Sequence, residues 1–361
     1  MLLQVLPVLM KAIPAKYTLA FTQNLRISCP SAELAVLLCT DGDTCIAVPL
    51  PATDTAGLEG TACCVPAKPF FEITKSLNSE TVTLSRKDSM LYLNWDSGHA
   101  ILPVMEDEYT DNSPGEDASV YRIPADRLDD ALKQTTFAVG TDELRPTLKN
   151  IFLNFSNSEV EVVASDSRVL MCHNTKMDCD TGSFLLPEPI AGILRMIPPV
   201  GNVEFTVDHN RGSVKAGLFT IGFRPGTGKY PGYKGLFPTS VTASLRMELK
   251  TLLQTIKRIA VCDPCIRVHI ERDLTGGSVT FSSVNTGFMS KSTETLPCDW
   301  DGEPMDTAFK ASTLADLLSN CRFENVCLGF IAPNRPVVIT EDAEDGSVRG
   351  IIVPIAIPKA A

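Results

Sequence analysis

Leu249-Lys-Thr-Leu-Leu-Gln-Thr-Ile-Lys-Arg258 places Leu249, Leu252, Leu253 and Ile256 at i, i+3, i+4 and i+7. That spacing draws one apolar stripe along a helix, with Lys250, Lys257 and Arg258 beside it. Five more stripes recur along the chain. They are Leu6 with Leu9, Met10 and Ile13; Phe70 with Ile73 and Leu77; Leu128 with Ala131, Leu132 and Thr135; Ile190 with Ile193, Leu194 and Ile197; and Leu314 with Leu317, Leu318 and Cys321. Starts at 6, 70, 128, 190, 249 and 314 lie 64, 58, 62, 59 and 65 residues apart, and every second start 120 to 124 apart. A near-constant period marks tandem duplication, here three copies of a two-helix unit.

Between the stripes the apolar period drops from 3.6 to 2. After the second, fourth and sixth stripes, runs 81–84 and 90–93, 203–207 and 213–216, and 326–330 and 337–339 predict hairpins across Lys87-Asp88, Asn210-Arg-Gly212 and Pro333-Asn334. After the first, third and fifth, runs 35–48, 160–173 and 278–291 are punctuated alike by Asp41-Gly42, Asp166-Ser167 and Asn285-Thr-Gly287. The expected fold is α+β: three tandem domains, 1–118, 119–242 and 243–361, each with two helices packed on antiparallel sheets. Residues 106–119 and 231–244 read as linkers, and Pro7 as the first-turn proline of a late-starting first helix.

The 361 residues, 44% hydrophobic and 21% charged, suit packed cores. Lys11 follows the N-terminal apolar run instead of preceding it, and no apolar stretch reaches about 18 residues. A cytoplasmic protein with no membrane partner is expected. Twelve cysteines scattered through strands and helices (Cys39, Cys172, Cys321, Cys327) read as buried reduced thiols. Cys262-Asp-Pro-Cys265 and Cys63-Cys64 lack the further ligands of a zinc site, His269 alone lying near. Gly222 to Lys229 departs from a phosphate loop in glycine spacing and has Tyr230 where Ser or Thr is needed. His99, His173, His209 and His269 fall in no catalytic motif, and Asp129-Asp130 and Glu106-Asp107-Glu108 read as solvated acids. No catalytic group, metal or cofactor is expected.

A net charge of −11 argues against gripping nucleic acid by bulk electrostatics. Yet the helices and the residues leading into them carry Lys11, Lys16, Lys68, Lys75, Lys133, Arg195, Lys250, Lys257, Arg258, Lys310 and Arg322. One surface sorted for a polyanion and ordinary solvated faces both fit this pattern.

Five segments, in register with the repeat, carry a resemblance. Phe137-Ala-Val-Gly-Thr-Asp-Glu-Leu-Arg-Pro-Thr-Leu148 resembles the second-domain signature of the bacterial DNA polymerase sliding clamps, the beta subunit of the replicative polymerase. VASDSRVL at 163–170 is similar to that family's VATDGHRL, and KYPGYKGLFP at 229–238 to its RFPDYRRVLP. VPAKPFFEI at 65–73 resembles the lead into its second helix, and IIVPI at 351–355 its C-terminal VVMPM. The resemblance implies a non-enzymatic, head-to-tail homodimeric ring of six like domains, with helices around a central hole. Topology would retain such a ring on DNA, so weak sequence-blind phosphate contacts suffice and an acidic outside is no obstacle. Implied partners are double-stranded DNA, a second copy, and the replicative DNA polymerase, clamp loader and repair proteins through short peptide motifs.

Carried over position by position, the peptide pocket falls on Leu148, Ser165, Ser167, Arg168, Leu170, Pro231, Gly235, Leu236, Thr313, Asn334, Pro336, Val353, Pro354 and Ile355. The competing reading makes Leu170, Leu236 and Val353 simply core. For DNA, Lys16 and Lys68 resemble channel positions; Lys75, Lys133, Arg145, Lys149, Arg195, Lys250, Lys257 and Arg258 follow from helical placement. Ser167 replaces the usual Gly, Val169 and Gly235 replace arginines, Cys265 replaces an aromatic ring, and 358–361 run past the usual end. A monomeric peptide-binding scaffold that does not encircle DNA is the alternative from another class.

Overall fold

The computed structural model describes residues 2–357 except 15, 17, 18, 32, 53–61, 80, 111, 112, 274, 275 and 343–346, so the extra tail at 358–361 lies outside the described residues. The first repeat runs α1 (Leu2–Leu9), β1 (Asn24–Ser31), β2 (Leu34–Thr40), β3 (Cys45–Pro51), β4 (Ala62–Pro66), α2 (Ala67–Ser76), β5 (Thr83–Lys87), β6 (Met90–Trp95) and β7 (Gly98–Pro103). The middle one runs β8 (Ser119–Pro124), α3 (Ala125–Thr135), β9 (Asn150–Ser156), β10 (Glu159–Ser165), β11 (Val169–Lys176), β12 (Gly182–Pro187), α4 (Glu188–Leu194), β13 (Asn202–Val207), β14 (Gly212–Ala216) and β15 (Phe219–Phe223). The last runs β16 (Ala243–Glu248), α5 (Leu249–Ile259), β17 (Cys265–Asp273), β18 (Gly276–Asn285), β19 (Ser290–Trp300), β20 (Met305–Lys310), α6 (Ala311–Asn320), β21 (Asn325–Phe330), β22 (Val337–Glu341) and β23 (Val348–Ile352).

Residues group into two compact units, 1–129 with 189–225 and 130–188 with 226–361. The three-part division at 118 and 242 is our proposal for the unit of duplication, and the middle repeat contributes to both compact units. In the first unit an antiparallel sheet is ordered β4-β1-β2-β3-β15-β14-β13-β8, beside a smaller sheet β5-β6-β7. In the second, twelve strands run β12-β9-β10-β11-β23-β22-β21-β16-β19-β18-β17-β20. Repeats are thus joined edge to edge, β3 to β15 through Ala47↔Thr220 and Ile46↔Ile221, and β11 to β23 from Val169↔Ile352 to His173↔Val348.

The stripes become helices because burying them needs a sheet. Leu249, Leu252, Ile256 and Ile259 of α5 are buried, as are Leu314, Leu317 and Leu318 of α6. Several helices start straight off a strand without a side-chain cap, and another segment supplies the acceptor. Ala125 N–H donates to Gly201, Leu249 to Glu324 and Ala311 to Pro264. Duplication is visible atom by atom in the first-half turns. The amides of Asp43 and Thr44 donate to the Asp41 carboxylate while Thr40 Oγ1 donates to Thr44 O; Arg168, Val169, Asp166 and Ser165 repeat the pattern. Gly42 has φ +99° and Ser167 φ +77°, the left-handed region this turn requires.

Four expectations need correction. The first helix starts early, at Leu2, with Pro7 inside it. Proline removes one bond from a two-turn helix, while burial of Val5, Leu6, Val8 and Leu9 holds it. Residues 106–110 are pinned instead of acting as a free linker, since Arg26 grips Asp107 at 2.9 Å and lies over the Tyr109 ring. Asp130 is likewise no solvated acid: it accepts from Gln134 and Arg322 and faces His173 at 3.6 Å. Residues 231–244 are not a linker either, because Tyr233 is buried and β16 begins at Ala243.

Candidate peptide pocket and basic helical positions

Almost every residue of β10 is buried, and strand alternation puts Glu161, Val163 and Ser165 on one face. Segment 226–238 covers that face. Gly226 N–H donates to Leu185 O at 2.9 Å, and a Cβ on Gly226 would meet the Asn150 side chain at 2.6 Å. The glycine run that superficially matched a phosphate loop therefore serves close approach. Tyr230 stacks on Phe152 with centroids 5.0 Å apart, and Tyr233 meets the same ring edge-on at 6.0 Å. These tyrosines join Leu148, Val163, Leu170, Cys172, Leu185 and Ile351 in one apolar cluster, with Phe152 and Phe237 packed against it.

The predicted pocket positions divide by exposure. Leu148 and Leu170 are core members of that cluster, so for Leu170 the core reading holds. Leu236, at 56% exposure, and Val353, at 41%, are not core. Pro231 and Gly235 are exposed on the same segment as Leu236. Val353 N–H donates to Arg168 O and Ile355 N–H to Ala308 O, which fixes 353–355 beside the exposed Arg168; Pro354 between them is half-buried. Ser165 is buried, and the Ser167 hydroxyl accepts from Arg145. Thr313 is half-buried on α6, Asn334 is exposed and Pro336 half-buried; no described hydrogen bond ties Thr313 or Asn334 to the cluster.

Sequence reasoning missed Glu161, Phe152, Tyr233, Phe237 and Arg349, whose guanidinium lies 4.8 Å from the Phe237 ring. The spacing of Tyr230, Tyr233 and Phe237 was the available signal, hidden by reading 231–244 as a linker. Glu161, 2% exposed, accepts from Tyr233 Oη at 2.7 Å, Lys234 Nζ at 2.7 Å and Asn154 Nδ2 at 2.8 Å. Burial opposes its charge, but the donors Lys234, Tyr233 and Asn154 outweigh burial and hold the carboxyl below the usual glutamate value. A carboxyl that ionises more readily when folded adds stability above its unfolded pKa and loses it as pH falls through the folded one. Urea midpoints should therefore drop more steeply below about pH 5 for the wild type than for Glu161→Gln, and parallel curves would contradict this. Burial, then the charge of Glu161, pushes the Cys172 thiol up to about 12, so this cysteine is no nucleophile.

Among the basic positions, Lys16, Lys68, Lys75, Arg195, Lys250 and Lys257 are exposed, and Lys133 is half-buried. Three others are engaged within the protein. Arg145 pairs with Asp142, Lys149 with Glu143 at 2.7 Å, and Arg258 with Glu294. Among the described residues no group of three or more potential ligands could hold a metal ion, and no helix is long and apolar enough to cross a membrane.

Helix-and-sheet repeats joined through their strand edges are the architecture of the polymerase sliding clamps. The Bacillus subtilis DNA polymerase sliding clamp superposes with a TM-score of 0.90 at 21% identity, covering 99% of this chain and 97% of that one. A Pseudomonas aeruginosa sliding clamp bound to griselimycin gives 0.89 at 18% identity, covering 99% and 97%. Residues 234–356 match the family described as DNA polymerase III beta subunit, C-terminal domain. The Halalkalibacterium halodurans beta sliding clamp is 24% identical over 357 residues, 94% of this chain and 93% of the relative. Over nearly its whole length the chain is thus similar to bacterial beta sliding clamps, in sequence and in fold.

Proposed function

We propose that the chain is a DNA sliding clamp: two copies close head to tail around duplex DNA, and the pocket beside 226–238 binds short peptide motifs of polymerase, loader and repair partners. One observation carries the ring. In the repeat, β3, β11 and β19 are equivalent strands, and so are β7, β15 and β23. β3 joins β15 and β11 joins β23, which leaves β19 and β7 unmatched. β19 pairs with β18 along one side and meets β16 only at Trp300 and Asp299, while β7 pairs with β6 alone among the named strands. An open strand edge is a template for another chain, and a second copy related by a two-fold axis satisfies both edges at once. By analogy with the internal junctions, 290–294 would lie against 99–103 of the partner.

The acidic chain with exposed Lys16, Lys68, Lys75, Arg195, Lys250 and Lys257 suits weak, sequence-blind phosphate contact. Protein placed on a nicked circular plasmid by a clamp loader should co-elute with it and be released when the circle is cut. Equal retention on linear DNA would overturn the encircling reading.

A further inference from the structure

Beneath the pocket wall lies a charge that an apolar pocket does not need. Glu161 Oε2 gathers Tyr233 Oη, Lys234 Nζ and Asn154 Nδ2, all within 2.8 Å. Asn154 stands directly opposite Glu161 on β9 and steadies it. The other two donors are consecutive residues of segment 226–238, and the exposed Gly235 and Leu236 follow them directly. Lys234 is 61% exposed yet reaches down to a carboxylate that is 2% exposed. The turn they belong to, Tyr233–Leu236, is a four-residue 3-10 helix without a side-chain cap. So short a turn has little stability of its own, and its shape depends on such anchors.

We propose that Glu161 is a positioning residue of the peptide pocket: through Tyr233 and Lys234 its carboxylate fixes where Leu236 meets a bound peptide. The proposal rests on the peptide-binding reading above. Removing the charge leaves every apolar side chain in place but frees the turn, so binding must then order it.

The test titrates the full-length protein and its Glu161→Gln, Lys234→Met, doubly substituted and Leu236→Asp variants with a fluorescein-labelled synthetic peptide bearing leucine and phenylalanine anchors. Thermal unfolding is followed in parallel. Glu161→Gln should weaken binding about tenfold, the scale of one charge-assisted hydrogen bond. Lys234→Met should weaken it too, and the double variant should lose no more than Glu161→Gln alone, because the contact that Lys234→Met removes is already broken there. Losses that multiply in the double variant, or a shifted unfolding midpoint with unchanged affinity, overturn the proposal. Should Glu161→Gln not fold, Lys234→Met at its exposed site decides alone, and wild-type affinity there refutes it. Binding lost in Leu236→Asp but kept in Glu161→Gln sinks this proposal alone, whereas a wild type that ignores the peptide overturns both readings.

Discussion

Leu236→Asp should weaken partner-peptide binding at least about 100-fold while leaving the fold and the dimer intact. Covering a leucine on binding contributes about 1.5–3 kcal/mol, and an aspartate in its place adds the cost of desolvating a charge against the apolar cluster. The free protein loses little, because Leu236 is 56% exposed and surface substitutions usually stay within about 0.5 kcal/mol. Leu170 is the wrong place for the same experiment. At 3% exposure and opposite Ile351 across the β11–β23 junction, an aspartate there would disrupt the core, and lost binding would report unfolding. Fluorescence anisotropy with the labelled peptide measures the effect; wild-type affinity for Leu236→Asp would remove the pocket from 226–238.

A proline in the free edge of β19 should convert the dimer into monomers. Amides along an edge strand alternate between the paired and the open side. Of Lys291→Pro and Ser292→Pro, one removes an amide that β18 needs, and the other removes one that only a partner would use. The second kind should keep its unfolding midpoint yet raise the dimer dissociation constant about 100-fold, since it removes a ladder hydrogen bond and leaves the partner's carbonyl unsatisfied, a loss of up to about 3 kcal/mol. Light scattering reads the result directly as a mass near one chain, 39.1 kDa, instead of two. The same variant should leave circular DNA as readily as linear DNA. A stable dimer in both variants would mean that β19 is not the joining edge.

Five of the six helices could be located from their stripes because an apolar stripe has to be buried, and burial is what holds a short helix. The first stripe misleads by a few residues: Ile13 carries the pattern on, but α1 gives way to a 3-10 turn at Met10–Ala12. The turn around Asp166 was legible too, since an aspartate followed by a left-handed residue is a local hydrogen-bonding unit. The pocket was legible only in part. Motif resemblance proposed Leu236 and Val353, which the structure leaves exposed, but nothing local says that Tyr233 faces inward or that Glu161 waits beneath it, because those are choices of a segment about 70 residues away in the chain.

Sequence alone therefore located five of the six α-helices among the described residues and the hairpins between most of them, since each follows from periodicities of 3.6 and 2 within a few neighbouring residues. Tertiary structure decided which strand edges join, which linkers became walls and which predicted pocket leucine is core. A strand's alternation reveals its faces, but its two edges are chemically alike along the backbone, and only the assembled sheet shows that β3 joins β15 and β11 joins β23 while β7 lies at the end of its sheet.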